Sequence, residues 1–270
     1  MKRLIVCADD FAGNAAASQA IAALAGASRI SATSALVLSP RWAGDAARLQ
    51  ALRGQVDVGL HLDWTSAFAR AAGHGLTLKG AMLRAALGGF EPAAARAVVE
   101  RQLDAFEAVW KAPPDHIDGH QHVQQFAGIR QALVAAVAQR YPPAIRPYLR
   151  RSAAGPADTG LKTKIIAAMG ASALGRLARA AGIGCAPALS GIYGFNGGAV
   201  HYAKLMQTWL AQAPEGCIVM CHPATRAEAG DDIGAARAWE YAYLASDAFA
   251  QALARADVQV SRGARINFPA

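Results

Sequence analysis

Short, unbroken apolar runs alternate along this chain with longer stretches of helical spacing. Residues 4–8, 34–39, 56–62 and 217–222 are apolar runs closed by polar or turn residues, the pattern of strands buried on both faces. Residues 116–120, 145–149, 190–193 and 258–260 read as further, weaker strands. Helices are predicted between them: from Asn14, a capping residue, to about residue 27, then over 40–53, 92–110, 127–140, 161–181, 199–212 and 233–255. Residues 64–89, broken by Gly73-His74-Gly75 and Gly88-Gly89, read as an irregular segment of the kind that rims a binding site.

Strand and helix alternate with no hairpin signal, so the strands are expected to be parallel with helical crossovers. About seven such units favour a TIM-like (β/α) barrel of the polysaccharide-deacetylase kind over an open doubly wound sheet. All of residues 1–270 are assigned to one domain, a length at which barrels commonly remain undivided. A glycine-rich phosphate loop does not follow the first strand, which weakens a nucleotide-binding reading.

Composition narrows this further. The net charge is +8, but the basic residues neither cluster into an arm nor alternate with aromatics, so nucleic acid is not expected as a partner. An anionic membrane surface is expected to be met peripherally at most. Apolar runs fall short of the roughly 18 residues of a membrane span, and the start of the chain does not read as a signal peptide. The four cysteines sit inside apolar runs, as reduced thiols of a cytoplasmic protein do. Oligomeric state is left open between monomer and homodimer.

The densest chemistry lies in Asp115-His116-Ile117-Asp118-Gly119-His120-Gln121-His122, where strand alternation would put His116, Asp118, His120 and His122 on one face. Imidazole and carboxylate converging there suit a divalent metal with water completing its shell. Asp9-Asp10, His61, this cluster, Arg146 and His222 all fall near strand ends, and in a barrel the C-terminal ends share the face that holds the active site. Asp9 and Asp10 either cap the following helix or supply one metal ligand and one general base. His61 and His222 are either histidines satisfied at strand ends or, respectively, a ligand and a catalytic acid. Trp64, Phe68 and Phe126, close in sequence to these residues, are read either as core or as platforms for a sugar ring.

Ala8-Asp9-Asp10-Phe11, Gly59-Leu60-His61, His116 to Val123 and Val219-Met220-Cys221-His222-Pro223 resemble, in this order, the motifs of the YdjC family of carbohydrate deacetylases. That family includes a chitooligosaccharide deacetylase and a hopanoid-biosynthesis protein. The resemblance implies one divalent metal ion, magnesium or zinc, on Asp10, His61 and His120, with Asp9 as general base. Arg146 would orient that base and His222 would be the general acid, while Trp64 and Phe126 would meet the sugar. Asp118 and His122 would support the ligands or touch substrate. The implied reaction is removal of an N-acetyl group from an amino sugar or sugar-lipid. Another metal-dependent amide or phosphoester hydrolase, or a sugar-binding barrel without turnover, are the alternatives. The chain departs from the family in reading Phe11-Ala12-Gly13 where glycine usually follows phenylalanine. It also carries Gln121 and Gln124 where histidine is common.

Overall fold

The computed structural model describes residues 1–158, 160–266 and 268. It opens with β1 (Lys2–Phe11), α1 (Ala15–Gly26), β2 (Ala32–Ala35) and two single-turn helices, α2 (Trp42–Asp45) and α3 (Ala47–Gln50). β3 (Asp57–Leu62) leads into α4 (Ala67–Ala71), α5 (Leu78–Ala86) and α6 (Pro92–Trp110). β4 (His116–Gly119) runs into a 3₁₀ turn (His120–Gln125), then α7 (Ile129–Arg140), a second 3₁₀ turn (Pro143–Ile145) and β5 (Tyr148–Leu149). α8 (Leu161–Ala168), α9 (Ala171–Ala180), β6 (Leu189–Ser190), α10 (Gly198–Gln212) and β7 (Ile218–Cys221) follow. α11 (Gly234–Ala245), α12 (Asp247–Arg255) and β8 (Val258–Val260) complete the order.

Seven strands lie in the order β5-β4-β3-β2-β1-β7-β6, and β8 pairs with the start of β1 through Lys2–Leu4. Every pairing is parallel. Parallel neighbours need a crossover between them, and the helices supply it, covering the outside of a curled, TIM-like half-barrel. Isolated parallel bridges, Leu149 to Cys185 and Ala154 to Leu189, draw the β5 and β6 edges together. Alternation along β1 divides the core: Leu4, Val6 and Ala8 face the helices, while Ile5 and Cys7 pack inside the curl with Tyr148, Leu189, Ile218 and Met220. None of the helices among the described residues is long and apolar enough to cross a membrane.

The expected elements differ from the observed ones where local conformation intervenes. Residues 64–89 are not irregular throughout: Ser66 and Thr77 cap α4 and α5 there, each accepting from a backbone N–H of the first turn. The long helix expected over 161–181 breaks into α8 and α9 at Gly170, whose φ of 136° no helix accommodates. Strand alternation also stops at Gly119, because Gln121 and His122 take left-handed φ of 52° and 64°. His120 and His122 therefore belong to a turn above the strand, not to its face.

Gly59 in β3 is fixed by a neighbour rather than by its own backbone. A methyl group there would stand 2.4 Å from Cε1 of His116, a fully buried ring stacked on Tyr148 at 5.2 Å. Gly59→Ala is expected to cost about 1–3 kcal/mol by overpacking, read from urea unfolding. Unchanged stability would mean that His116 is free to move.

Candidate metal and catalytic site

The C-terminal ends of the strands open into a cleft of about 980 Å³ lined by Asp9, Asp10, His61, His120, His122, His222 and Arg237. Asp9 and Asp10 are neighbours on a strand, where side chains ordinarily point to opposite faces. Both nevertheless line the cleft, because β1 loses register between Ala8 and Phe11 and Asp10 adopts a left-handed φ of 66°. Ala12 is left-handed as well, at 68°. It stands where the resembled family usually has glycine, the residue that adopts this conformation most readily.

Arg150 holds Asp9 from both sides, donating from Nη1 to Oδ1 at 2.6 Å and from Nη2 to Oδ2 at 2.8 Å. The same Nη1 lies 2.9 Å from Oδ2 of Asp118. Arg150 is fully buried, as is Asp118. A guanidinium forked onto one carboxylate and shared with a second orients both. Burial alone would raise the Asp118 carboxyl, but Arg150 and His61 outweigh it and hold it below the usual carboxylate range.

Asp10 is gripped on one oxygen only. Arg237 Nη2 donates to its Oδ2 at 2.7 Å, while Oδ1 is buried, has no hydrogen-bond partner and lies 3.4 Å from Nε2 of His61. Burial opposes ionisation of Asp10 as well, yet Arg237 with His61 keeps it well below the ordinary range. On its other nitrogen, His61 Nδ1 meets Oδ1 of Asp118 at 2.6 Å. The His120 ring stands edge-on to that of His61 at 5.8 Å, its Nδ1 taken up by Oγ1 of Thr65 at 2.7 Å. His120 thus has Nε2 left for the cleft, just as His61 has Nε2 left for Asp10.

This donor set fits a divalent cation. Asp10 Oδ1, His61 Nε2 and His120 Nε2 are each oriented by a partner on the opposite atom, the arrangement that fixes metal-binding imidazoles. His61 between two carboxylates is pushed up to about 10 despite its burial, so a proton balances this cluster when no cation does. Two other groupings are more compact than Asp10, His61 and His120. Asp9, His61 and Asp118 bring ligand atoms within 4.8 Å of one another, and so do Cys7, His116 and Asp118. In the first, both carboxylates are committed to Arg150. In the second, burial pushes the Cys7 thiol far up, away from the thiolate a metal takes.

Arg146 is not in this site. It donates to the carbonyls of Ala138, Tyr141 and Ala181, closing the ends of α7 and α9. Pro147 delays β5 to Tyr148–Leu149, so Arg146 precedes the strand and Arg150 is the residue that follows it. Trp64 and Phe126 are 2% and 1% exposed and belong to the core. Phe68, Tyr193 and Phe195 line the cleft in their place. His122 lines it too, its Nδ1 2.9 Å from Oγ of Ser152.

His222 faces Asp9, with Nε2 3.8 Å from Oδ2, and Phe195 covers it edge-on at 5.2 Å. Its Nδ1 is buried without a partner, and burial pushes the imidazole down to about 4 against the pull of Asp9 and Asp10. The backbone N–H of His222 donates to Oε2 of Glu240 at 2.5 Å, and Tyr193 Oη donates to Oε1 at 2.6 Å. Arg237 and Glu240 lie one turn apart on α11, so this one helix steadies both Asp10 and His222. Neither had been singled out from the sequence. The available signal was two charged residues within the buried stripe Ala236, Arg237, Glu240, Tyr243 and Leu244.

Burial raises Glu240 from 4.5 to about 7. Between those values the folded protein holds a proton that the unfolded chain has released, so this group's contribution falls as pH rises through that window. Glu240→Gln carries no such proton. Measured against the parent, its stability is expected to improve by about 3 kcal/mol between the acid and alkaline ends of the window. Parallel urea-stability profiles across pH would show that Glu240 does not titrate there.

The family model described as YdjC-like protein matches residues 3–255. A crystal structure from Enterococcus faecalis V583, described as a candidate cellobiose-phosphate cleavage protein, superposes with a TM-score of 0.71. It covers 99% of each chain at 18% identity, a likeness of fold. A search of curated proteins gives no match.

Proposed function

The chain belongs to the YdjC-like protein family, and from that premise and the geometry of the cleft we propose that it is a metal-dependent carbohydrate N-deacetylase. Its substrate would carry an N-acetylated amino sugar, free or lipid-linked. The observation that carries this reading is the unpartnered, buried Oδ1 of Asp10, 3.4 Å from His61 Nε2 and beside His120. These three residues would hold the ion. When bound, a divalent cation supplies Lewis-acid polarisation of the amide carbonyl and a water acidified toward neutral pH.

The rest falls to the chain's own side chains. Asp9, kept oriented by the Arg150 fork, accepts the proton of the attacking water. Asp118 locks His61 through Nδ1 and Arg237 fixes Asp10 through Oδ2, so that both residues would be held in place for the ion. His222 gives a proton to the departing amine nitrogen. Because it rests neutral, that proton is one it receives during turnover, and Asp9 Oδ2 stands 3.8 Å from its Nε2. Phe68, Tyr193 and Phe195 offer apolar faces for the sugar ring.

The test is a panel of acetylated amino sugars, acetylated sugar-lipids and phosphorylated disaccharides, offered with magnesium, zinc or a chelator. Release of acetate with a new free amine, abolished by the chelator, supports the reading. Phosphate release, or glycosidic cleavage with the acetyl group intact, overturns it.

A further inference from the structure

Large apolar side chains are left in solvent at a few places, and they are not scattered. Apart from Met1, those among the described residues are Leu83, Leu87, Ile145, Leu161, Ile165 and Val200. Four of these six form two pairs, Leu83 of α5 with Leu87 at its C-cap and Leu161 with Ile165 on α8, each spaced by one helical turn. Their exposures are 62% and 77% in the first pair, and 74% and 47% in the second. Both helices border the cleft, α5 through Leu78 and Met82, α8 through Leu161, Ile165 and Ile166. Single exposed leucines are ordinary on a soluble surface, whereas paired stripes around one opening mark a contact surface.

Charge says what that surface meets. Acidic residues are absent between Asp63 and Glu91, and again between Asp158 and Glu215, the two segments that supply α5 and α8. Lys79 lies one turn before Leu83, and Lys164 sits between Leu161 and Ile165, both exposed. Lys162 adds to the same rim, although it is already spent on the carbonyl of Tyr193 and the face of Phe195, and the exposed Arg70 and Arg84 flank α5 while bonded to the carbonyls of Thr65 and Gly89. On the opposite wall Glu228 and Asp231 are paired with Arg226 and Arg237, and Asp232 is exposed. A second copy of the chain would bring one basic rim against another, so self-association is disfavoured on this face.

We propose that α5 and α8 form a docking surface for an anionic lipid bilayer, with Leu83, Leu87, Leu161 and Ile165 entering the headgroup boundary and Lys79 and Lys164 meeting its negative charge. This is the composition of an interfacial helix, apolar on one side and basic at the margin. The cleft would then open toward the membrane. The surface rests on exposure and charge alone and does not depend on the deacetylase reading.

The experiment is co-sedimentation of the full chain with phosphatidylcholine vesicles, and with the same vesicles containing phosphatidylglycerol, at low and high salt. Expected is at least about tenfold stronger partition onto the anionic vesicles, weakening as salt rises. Leu83→Ser with Leu87→Ser, and separately Leu161→Ser with Ile165→Ser, should each reduce it severalfold while the unfolding temperature stays put. Lys79→Glu should do so on anionic vesicles alone. Absence of binding to anionic vesicles, or binding that all these variants retain, overturns the proposal. So does a dimer in sedimentation velocity that the serine variants turn into monomers without any vesicle binding. Vesicle binding without turnover of any acetylated sugar would leave this surface standing and count against the proposed activity alone.

Discussion

Asp10→Asn is expected to remove stoichiometric divalent-cation binding and to lower deacetylation by about a thousandfold, with the fold intact. Asparagine matches aspartate in size and tolerates the left-handed φ of 66° at this position, so strain is not introduced. What changes is charge. The amide keeps an oxygen for one neighbour but no longer presents a carboxylate to both Arg237 and an ion. Loss of transition-state stabilisation of about 4 kcal/mol, within the several that a metal ion contributes, corresponds to that thousandfold. Equilibrium dialysis with zinc or magnesium reads the first effect and steady-state kinetics the second. A variant that binds the ion at full stoichiometry and turns over at the parental rate would exclude Asp10 as a ligand.

The second large effect is expected of Arg150→Met, and it divides between stability and chemistry. Asp9 and Asp118 are 2% and 0% exposed, and Arg150 is the guanidinium that both share. Removing one partner of such a buried network while leaving the charges costs about 3–5 kcal/mol. The sign with pH follows from Asp118. Its folded carboxyl is held below its unfolded value, so its contribution is complete above the unfolded range and is lost as pH falls through the folded one. Without Arg150, only the neighbouring histidines still oppose burial, and that contribution shrinks. The deficit of the variant should therefore be largest at neutral pH and should narrow toward pH 4, as measured by urea unfolding. Activity should fall by about a hundredfold through the loss of a positioned base. Arg146→Met provides the contrast, since it gives up carbonyl contacts at the ends of α7 and α9 and should leave catalysis unaltered. If the Arg150 variant were as stable and active as the parent, Asp9 and Asp118 would have to be held by something else.

Much of this site could be read along the chain because its donors sit where apolar runs stop. Asp9, Asp10, His61 and His222 each end or follow such a run, and a parallel barrel sends all those ends to one face. Arg146 and Arg150 show the limit of that reasoning. They are four residues apart around one short strand, and the sequence does not mark where that strand begins and ends, which decides that Arg146 stands before it and Arg150 at its C-terminal end. Trp64 and Phe126 show a second limit, because nearness in sequence to His61 and His120 says nothing about which way a side chain packs. Arg237 and Glu240 were hidden for a third reason. They come from the last quarter of the chain, and their partners lie up to 227 residues away.

The alternation of buried strands and amphipathic helices is a local property, and hydrophobic periodicity by itself determined the parallel α/β architecture. The clustering of aspartate and histidine at strand ends also determined which face would carry chemistry. Tertiary structure alone decided how those groups divide their work. The left-handed turn at Asp10 brings two adjacent aspartates into one cleft, and the guanidiniums of Arg150 and Arg237 then bind one each. The physical reason is desolvation: buried Asp10 and Asp118 stay charged only because distant parts of the chain deliver the compensating charge.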